Sequence, residues 1–386
     1  MSRYHSYIKT AASVIEEYDG SVPLAAFLKT FFARSSKYGS RDRKSVSHLV
    51  YCFYRCGHAL SSMTVEDKLL AAQWLCVTDN NSLLESLQPE WFAARLIPVL
   101  DKFKQLGEPD GISHIFPWRH ELSEGIDPME WGHSFLQQPD LFIRLRPGKQ
   151  QKVKQQLTEA GIVFSEMHGD MIRLANNTPV DAIIQIGHDA IVQDFHSGQT
   201  LSLLQQHNVP DGLAAWDCCA GSGGKSILLT DLFPATQLTV TDIRKSILVN
   251  LGKRFTEAGV RAREIREADL VNQQPFPADS FQLIVADVPC SGSGTWGRTP
   301  EQLCFFKTEA IGQYAELQQK ILSHAVPALQ PGGWLLYITC SVFKKENEMQ
   351  TDWLQKKFPL QLLQREWFRG AGIGADSMFA ALFRAL

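Results

Sequence analysis

The segment LAAWDCCAGSGGKS, residues 213–226, joins a short apolar run to a glycine-rich turn and the start of a helix. A glycine turn lets a ligand approach the backbone, and the N-terminus of the following helix favours negatively charged groups. Two nucleotide-binding motifs are excluded. A P-loop needs glycine where Cys219 stands, and the dinucleotide motif needs its last glycine where Ser226 stands. The segment therefore predicts a tight turn for another nucleotide-like ligand.

Apolar runs and helical stretches alternate from about residue 196 onward. This alternation is typical of an α/β fold, a parallel sheet with helical crossovers. Such sheets bind ligands at the carboxyl ends of their strands, so the residues directly after each strand are the candidates for a site. The apolar runs are LAAWDCC (213–219), QLTVTD (237–242), FQLIVADV (281–288) and WLLYITC (334–340), and the helical stretches between them include 244–259 and 309–329.

Two aspartates follow successive strands behind the glycine turn. Asp242 ends the second strand, where a carboxylate can accept hydrogen bonds from both ribose hydroxyls. Asp269 follows a further strand, which we expect between Asp242 and the run 281–288, and a side chain there can read an adenine edge. Either residue alone could equally cap a helix or a turn. Their joint placement favours a ligand.

Two cysteines also stand at strand ends, Cys290 in DVPCSG and Cys340 in TCS. In a cytosolic enzyme, two cysteines on adjacent strands indicate nucleophiles rather than a disulfide. The alternative is a pair of small core residues, which a Pro-Cys-Ser-Gly turn fits poorly. Eight cysteines in 386 residues are too few for a disulfide scaffold. No CxxC pair exists, so we predict no metal site.

The composition is that of an ordinary globular protein, with 44% apolar and 20% charged residues. It excludes disorder, collagen and coiled coil as overall descriptions. No apolar run approaches the ~18 residues of a membrane span. The N-terminal stretch MSRYHSYIKT lacks the apolar segment of a signal peptide. We expect a cytoplasmic protein without a membrane partner, and the sequence indicates no obligate protein partner.

Residues 1–130 are expected to form a helical domain. Residues 1–60 hold nine Lys or Arg against four Asp or Glu, which suggests a local contact with a polyanion. A solvated helix face explains this charge equally well. A zone rich in proline and glycine, from Gly107 to Pro139, marks the boundary of the domain. Helical periodicity covers residues 21–55, 65–77 and 90–106.

Residues 140–195 are expected to form a small α/β subdomain. Short apolar runs predict strands on either side of a helix that ends at Gly161. Basic residues without an intervening acid suit a contact with a phosphate backbone, although an exposed helix face is equally compatible. These basic residues are Arg144, Arg146, Lys149, Lys152 and Lys154.

The motifs together resemble those of the RNA cytosine-5 methyltransferases of the RsmB/Nol/Nop/Sun type, which use S-adenosylmethionine. The paired PCSG and TCS motifs are the most specific part. Residues 141–162 are similar to the small RNA-binding subdomain of the family, and residues 1–60 to the NusB-like helical domain of its bacterial members. The matching segments are VQDFHS (192–197), DCCAGSGGKS (217–226), TDIRKSILVNLGKRFTEAGV (241–260), ADVPCSGSGT (286–295) and YITCS (337–341).

The resemblance implies a Rossmann-like methyltransferase sheet over residues 196–386, preceded by the small RNA-binding subdomain and the helical domain. It implies methylation of carbon 5 of a cytosine in RNA through a covalent cysteine adduct, with S-adenosylmethionine as cofactor. By analogy with bacterial members that carry an N-terminal helical domain, ribosomal RNA is the expected substrate.

The resemblance also implies roles for single residues. Asp242 would hold the ribose hydroxyls of the cofactor, Asp269 its adenine, and Asp287 would lie between cofactor and target base. Cys340 would be the nucleophile, and Cys290 would help to release the product. Spacing alone leaves these two roles open, because DNA cytosine methyltransferases use a Pro-Cys nucleophile. The cofactor turn would comprise Cys219, Ala220, Gly221, Ser222, Gly223, Gly224 and Lys225, and the RNA contacts would include Arg144, Arg146, Lys149 and Arg298.

The chain departs from the family pattern at two places near the site. Where the family usually has Ala-Pro before Gly-Gly-Lys, this chain has Gly221-Ser222. Where the family commonly has Arg-Arg-x-Pro-Asp, it has Gly297 to Glu301, with one arginine fewer and a longer acid. These changes bear on the RNA target more than on the reaction.

Two other functions remain as alternatives. A methyltransferase for tRNA, DNA or protein would share the fold, but methylation of nitrogen or oxygen needs no thiol nucleophile. A non-enzymatic RNA-binding assembly factor with a relict site would show damaged motifs, whereas Lys225, Asp287 and both cysteines are present.

Overall fold

The computed structural model describes residues 3–35 and 37–386, which divide into two compact units. The helical unit comprises the chain up to His120, Ile126–Gln138 and Trp296–Lys307. The sheet unit comprises Glu121–Gly125, Pro139–Thr295 and Thr308–Leu386. Among the described residues, no helix is both long and apolar enough to cross a membrane.

Short helices build the helical unit. The predicted segment 65–77 forms one helix, Val65–Cys76. Thr64 caps its N-terminus by accepting a hydrogen bond from the amide of Asp67. The expected helix over 90–106 is two helices, since Pro98 lacks an amide proton and disfavours helical backbone before it. The helices are Arg3–Glu17, Leu24–Ala33, Ser40–Arg55, Val65–Cys76, Ser82–Leu87, Pro89–Ala93, Val99–Gln105, Gly111–Ile115, Pro128–Ser134 and Gln302–Phe305; Ser36, inside the predicted 21–55 stretch, lies outside the described residues.

A buried arginine ties distant parts of the chain into the helical unit. Arg55 is 4% exposed, and its Nη1 donates to the carbonyls of Phe135, Gln137 and Gly297, each at 3.0 Å. Burying a guanidinium is tolerable only when such acceptors surround it. Residues 296–307, which follow the PCSGSGT motif, therefore belong to this unit.

The sheet unit begins with a small antiparallel sheet of order β2-β3-β1-β4. The helix Gln150–Glu159 packs on it through Val153 and Leu157, both fully buried. The predicted strands are present, and the fourth strand was not predicted. The strands are β1 (Leu141–Leu145), β2 (Phe164–Met167), β3 (Met171–Leu174) and β4 (Ala190–Val192).

The large sheet has seven strands in the order β10-β11-β9-β8-β5-β6-β7. The strands β9, β8, β5, β6 and β7 pair in parallel, whereas β11 pairs antiparallel with β9 and β10. This confirms the Rossmann-like α/β fold. The strands are β5 (Ala214–Asp217), β6 (Gln237–Asp242), β7 (Glu264–Glu267), β8 (Phe281–Asp287), β9 (Leu329–Thr339), β10 (Leu360–Phe368) and β11 (Met378–Ala385).

Apolar clusters lie on both faces of the large sheet. One contains Leu251 and Phe255, and the other Ile321 and Leu322. Strands covered on both faces read as continuous apolar runs, which explains the runs in the sequence. The helices of this unit that follow the small sheet are Phe195–Gln199, Ser202–Gln206, Gly224–Leu232, Lys245–Ala258, Glu309–Ala325 and Glu348–Lys357.

The expected RNA contact at Arg144 is wrong. Its side chain is 4% exposed and forms an ion pair at 2.5 Å with Asp231, which is 6% exposed. Arg146 pairs with the same carboxylate at 2.8 Å and also donates to the carbonyl of Ala258. The two arginines fasten β1 to the helix that follows the glycine turn, so their charge is used inside the protein.

Replacing Asp231 by alanine should lower the free energy of unfolding by about 3–5 kcal/mol, because it leaves buried guanidinium charge without a partner. Urea denaturation followed by tryptophan fluorescence measures the change. The control Lys104→Ala removes an exposed ion pair with Asp101 and should cost below about 1 kcal/mol. An equally small effect for Asp231→Ala would contradict the anchoring role.

Candidate active site

The glycine turn connects β5 to the helix Gly224–Leu232. Gly223 has a φ of +83°, and a Cβ there would lie 2.7 Å from the ring of Phe255. Only glycine fits such a position, since both the left-handed backbone and the close approach exclude a side chain. The turn predicted from the sequence is thus required by local packing.

Ser222, which replaces the usual proline of the resembling family, is held by a side chain. Its carbonyl and its hydroxyl accept hydrogen bonds from Arg254 Nη1 at 2.7 and 2.6 Å. The departure from the family pattern is thereby compensated by a charge-assisted contact.

Asp242 ends β6 and is bonded from two sides. Its Oδ2 accepts from the amide of Gly221 at 3.0 Å, and its Oδ1 accepts from the amide of Arg244 at 2.9 Å. Burial alone would raise the pKa of Asp242, but the hydrogen bonds from Arg244 and Gly221 hold it below the ordinary value. The residue is therefore an ionised acceptor at the mouth of the turn.

A pocket of about 540 Å³ opens at the carboxyl ends of the parallel strands. It brings together seven of the twelve predicted catalytic and cofactor-binding residues, and Ile243 contributes a large apolar side chain that is 54% exposed. The five that do not line it are Ala220, Ser222, Gly223, Gly224 and Lys225. Asp269 lines the pocket while accepting from the amide of Val271 at 2.9 Å. The lining residues are Cys218, Cys219, Gly221, Asp242, Ile243, Arg244, Ala268, Asp269, Leu270, Val271, Asp287, Val288, Pro289, Cys290, Leu317, Ile321 and Cys340.

Lys225 and Asp287 form an ion pair inside this region, with Nζ 2.9 Å from Oδ2. Nζ also donates to the hydroxyl of Ser197 at 3.3 Å. Burial would lower the pKa of Lys225, but the carboxylate of Asp287 outweighs it and raises the pKa. Lys225 is thus a fixed cation, and its charge also interacts with Cys340.

The two cysteines meet at the edge of the pocket. The sulfur atoms of Cys290 and Cys340 are 3.3 Å apart. The hydrogen bond with Cys340, together with burial, holds the pKa of the Cys290 thiol well above its usual range. The carbonyl of Cys340 accepts from the amide of Gly294 at 2.9 Å, and a Cβ on Gly294 would lie 2.0 Å from the carbonyl of Ser377. The loop of one thiol is thus packed directly on the strand end of the other.

Sequence reasoning missed two groups that contact these residues. Ser197 lies in the VQDFHS motif, but its contact with Lys225 crosses between elements. Glu346 is fully buried next to both cysteine loops. The polar run Glu346-Asn347-Glu348 begins seven residues after the end of the apolar strand β9, and this run is a signal that could have marked Glu346.

The predicted RNA contacts are not part of this pocket. Lys149 belongs to the small subdomain, 33% exposed and 3.7 Å from Asp189. Arg298 belongs to the helical unit. These two contacts stay predictions.

A family model matches nearly half of this chain. Residues 203–383 match the family described as "16S rRNA methyltransferase RsmB/F". Over this segment the chain is similar to the RsmB/F methyltransferases. The resemblance inferred from the motifs is thereby confirmed.

Curated relatives are similar to this chain in sequence, and a solved structure is similar to it in fold. "Ribosomal RNA small subunit methyltransferase B" of Enterobacter sp. (strain 638) is 30% identical over 187 residues, 48% of this chain and 43% of the relative. Human "tRNA (cytosine(72)-C(5))-methyltransferase NSUN6" is 32% identical over 199 residues, 46% of this chain and 42% of the relative. The crystal structure of PH0851 shares the fold, with a TM-score of 0.71, 18% identity and 99% of each chain covered. The chain matches about half the length of the curated relatives.

Asp217, beneath the glycine turn, should make the stability of this protein depend on pH. Burial raises the pKa of Asp217 to about 7, although Ser226 donates to it at 2.6 Å. An unfolded aspartate titrates near its ordinary value of 3.8. Between these values the unfolded chain loses its proton first, so the free energy of unfolding falls by a few kcal/mol as pH rises from about 4 to about 7.

Urea denaturation at a series of pH values tests this expectation. Asp217→Asn should remove that part of the slope, because it has no proton to lose. Asp181→Asn, at an exposed position, should leave the slope unchanged. An identical slope in the wild type and Asp217→Asn would show that Asp217 titrates normally.

Proposed function

We propose that this protein methylates carbon 5 of a cytosine in RNA, with S-adenosylmethionine as methyl donor. The observation that carries the proposal is the pair of thiols 3.3 Å apart at the edge of a nucleoside-sized pocket. Transfer to nitrogen or oxygen needs no thiol, whereas transfer to an unactivated ring carbon does. Names of relatives that modify ribosomal RNA and cytosine in tRNA support the same reaction class.

The cofactor half of the pocket has the donor set that S-adenosylmethionine requires. Asp242 presents an ionised carboxylate for ribose hydroxyls, and Ile243 presents an exposed apolar face for a flat base. Asp269 lies at the same end, where its carboxylate can accept from an exocyclic amine. The cofactor, when bound, supplies an electrophilic methyl group on sulfonium sulfur. The residues of the turn from Cys219 to Lys225 would hold its amino-acid part.

The thiol half of the pocket would take the target base. A cytosine inside a duplex cannot reach a thiol at the end of a strand, so the substrate is single-stranded or extruded RNA. Cys340 Sγ would add to carbon 6 of the ring, and the electron pair would move to carbon 5 and make it nucleophilic toward the sulfonium methyl group. Transfer of that methyl group would break its bond to sulfur and leave the cofactor as a neutral thioether. A water molecule would then accept the proton of carbon 5, the bond between carbon 6 and Sγ would break, and the thiolate and the methylated base would be released.

Two features favour Cys340 as the nucleophile. The cation of Lys225 interacts electrostatically with it. The sulfur of Cys290, whose pKa is raised by the hydrogen bond with Cys340 and by burial, lies 3.3 Å from the sulfur of Cys340. Cys290 is then placed to assist the elimination step, and Asp287, whose Oδ2 is bonded to Lys225, to bond the polar edge of the base.

Ribosomal RNA is the substrate we propose. The description of the matched family names 16S rRNA, and several relatives are named as methyltransferases of small-subunit ribosomal RNA. A tRNA substrate is the second candidate, because the name of the human relative of similar identity says that it acts on tRNA.

We propose Lys149 and Arg298 as RNA contacts outside the pocket. We also propose the division into a helical domain over 1–130, a small RNA-binding subdomain over 140–195 and a catalytic domain over 196–386, in the cytoplasm.

Replacing each of the two cysteines by alanine tests the mechanism. Cys340→Ala should abolish methyl transfer and form no covalent adduct, because the attacking sulfur is absent. Cys290→Ala should accumulate a protein–RNA adduct that survives a denaturing gel, since release is impaired. Nucleoside analysis of 16S rRNA and tRNA transcripts incubated with wild-type protein identifies the product and substrate.

The opposite gel pattern would exchange the two roles. Formation of another methylated nucleoside, with wild-type rates in both cysteine variants, would refute the cytosine-5 reaction. Calorimetric binding of S-adenosylmethionine by both variants serves as the control for an intact fold.

A further inference from the structure

A buried polar run follows the strand that carries Cys340. Glu346, Asn347 and Glu348 are 0%, 1% and 6% exposed. Three consecutive polar residues in the interior carry a desolvation cost that only hydrogen bonds offset. Their partners therefore indicate what the run stabilises.

Glu346 contacts the residue that follows each cysteine. Its Oε2 accepts from the amide of Ser291 at 2.8 Å, directly after Cys290. Its Oε1 accepts from the hydroxyl of Ser341 at 2.7 Å, directly after Cys340. A single carboxylate thus joins the two loops whose sulfur atoms are 3.3 Å apart.

Additional contacts fix the orientation of this carboxylate. Gln318 Nε2 donates to Oε2 at 3.2 Å. The hydroxyl of Tyr337 donates to the backbone carbonyl of Glu346 at 2.6 Å and lies 3.0 Å from Gln318 Oε1. Three donors therefore converge on the carboxylate. A glutamine in its place would turn an amide donor toward at least one of them.

The neighbouring Asn347 holds the same strand end from the other side. Its Oδ1 accepts from Thr339 Oγ1 at 2.5 Å, and its Nδ2 donates to the carbonyl of Ser341 at 2.8 Å. Glu348 has different partners, the hydroxyl of Ser123 and the indole of Trp367, and contacts neither cysteine loop. The two glutamates are thus a matched pair, one joined to the thiol loops and one not.

We propose that Glu346 is a positioning residue for the proposed reaction, which holds the two cysteine loops together through its two carboxylate oxygens. Its catalytic role rests on the proposed function, whereas its contacts with the two loops do not. The hydrogen bond with Cys340 and burial raise the pKa of Cys290 most, and the negative charge of Glu346 adds to the rise. Removing that charge favours ionisation of the wrong sulfur, and losing its bonds frees the loops.

The thiol titration depends on the groups packed around Glu346. Cys290 faces it from the loop after β8, Tyr337 from β9 and Tyr314 from the helix Glu309–Ala325. Lys225, which is paired with Asp287, interacts electrostatically with Cys340. Burial raises the pKa of Glu346 although three groups donate to it, so the titration is measured from pH 7 upward.

The experiment compares Glu346→Gln, Glu346→Asp and the control Glu348→Gln. Alkylation of Cys290 and Cys340 by iodoacetamide is followed peptide by peptide with mass spectrometry from pH 7 to 10, without RNA or cofactor. Glu346→Gln should shift the apparent pKa of the thiol pair downward, whereas Glu346→Asp keeps the charge and should stay close to wild type. Glu348→Gln should leave the profile unchanged even where it lowers Tm.

Methylation assays supply the second readout. Glu346→Gln should lower kcat at least tenfold and leave KM for S-adenosylmethionine within twofold. A wild-type thiol profile in Glu346→Gln, or the same shift in Glu348→Gln, would overturn the positioning role. The titration needs no substrate, so it tests the positioning role of Glu346 independently of methylation. If the wild-type protein methylates no RNA, only the proposed function is refuted.

Discussion

The parallel pairing of β8 with β9 is the constraint on which the candidate site depends. Its register sets Asp287 opposite Ile338, so both strands end at the same level of the sheet. Cys290 and Cys340 follow these ends within three residues, so the pairing brings the two cysteine loops to the same edge of the sheet. A shift of the pairing by a single residue would turn side chains to the opposite face and separate the pair.

Charge burial at this edge is balanced locally. The cation of Lys225 pairs with the carboxylate of Asp287 and interacts electrostatically with Cys340, and the carboxylate of Glu346 joins the two cysteine loops. Each charge has hydrogen-bond partners supplied by the chain itself. The site is therefore organised before any ligand arrives, which reduces the reorganisation that a reaction would require.

The sequence was sufficient for the parallel sheet, because strands covered on both faces appear as uninterrupted apolar runs. It also located Asp242, Asp287 and both cysteines, since ligand-facing residues follow the strands. It could not show that Arg144 forms a buried ion pair with Asp231, because the two residues are 87 positions apart and the charge of a residue does not identify its partner. For the same reason the sequence did not reveal Glu346, whose contacts come from loops that meet only in the folded chain. The strands β10 and β11 were missed since their antiparallel pairing returns the chain to β9 without a helical crossover.

The bond from Arg254 to Ser222 changes how the cofactor turn keeps its shape. A proline ring would restrict the backbone covalently, in the folded and the unfolded chain alike. A guanidinium donor restricts it only while the bond is made, and Arg254 lies on the neighbouring helix Lys245–Ala258. The rigidity of the turn therefore depends on the position of that helix. Dissolved anions that compete for the guanidinium can make the turn more flexible without contacting its backbone.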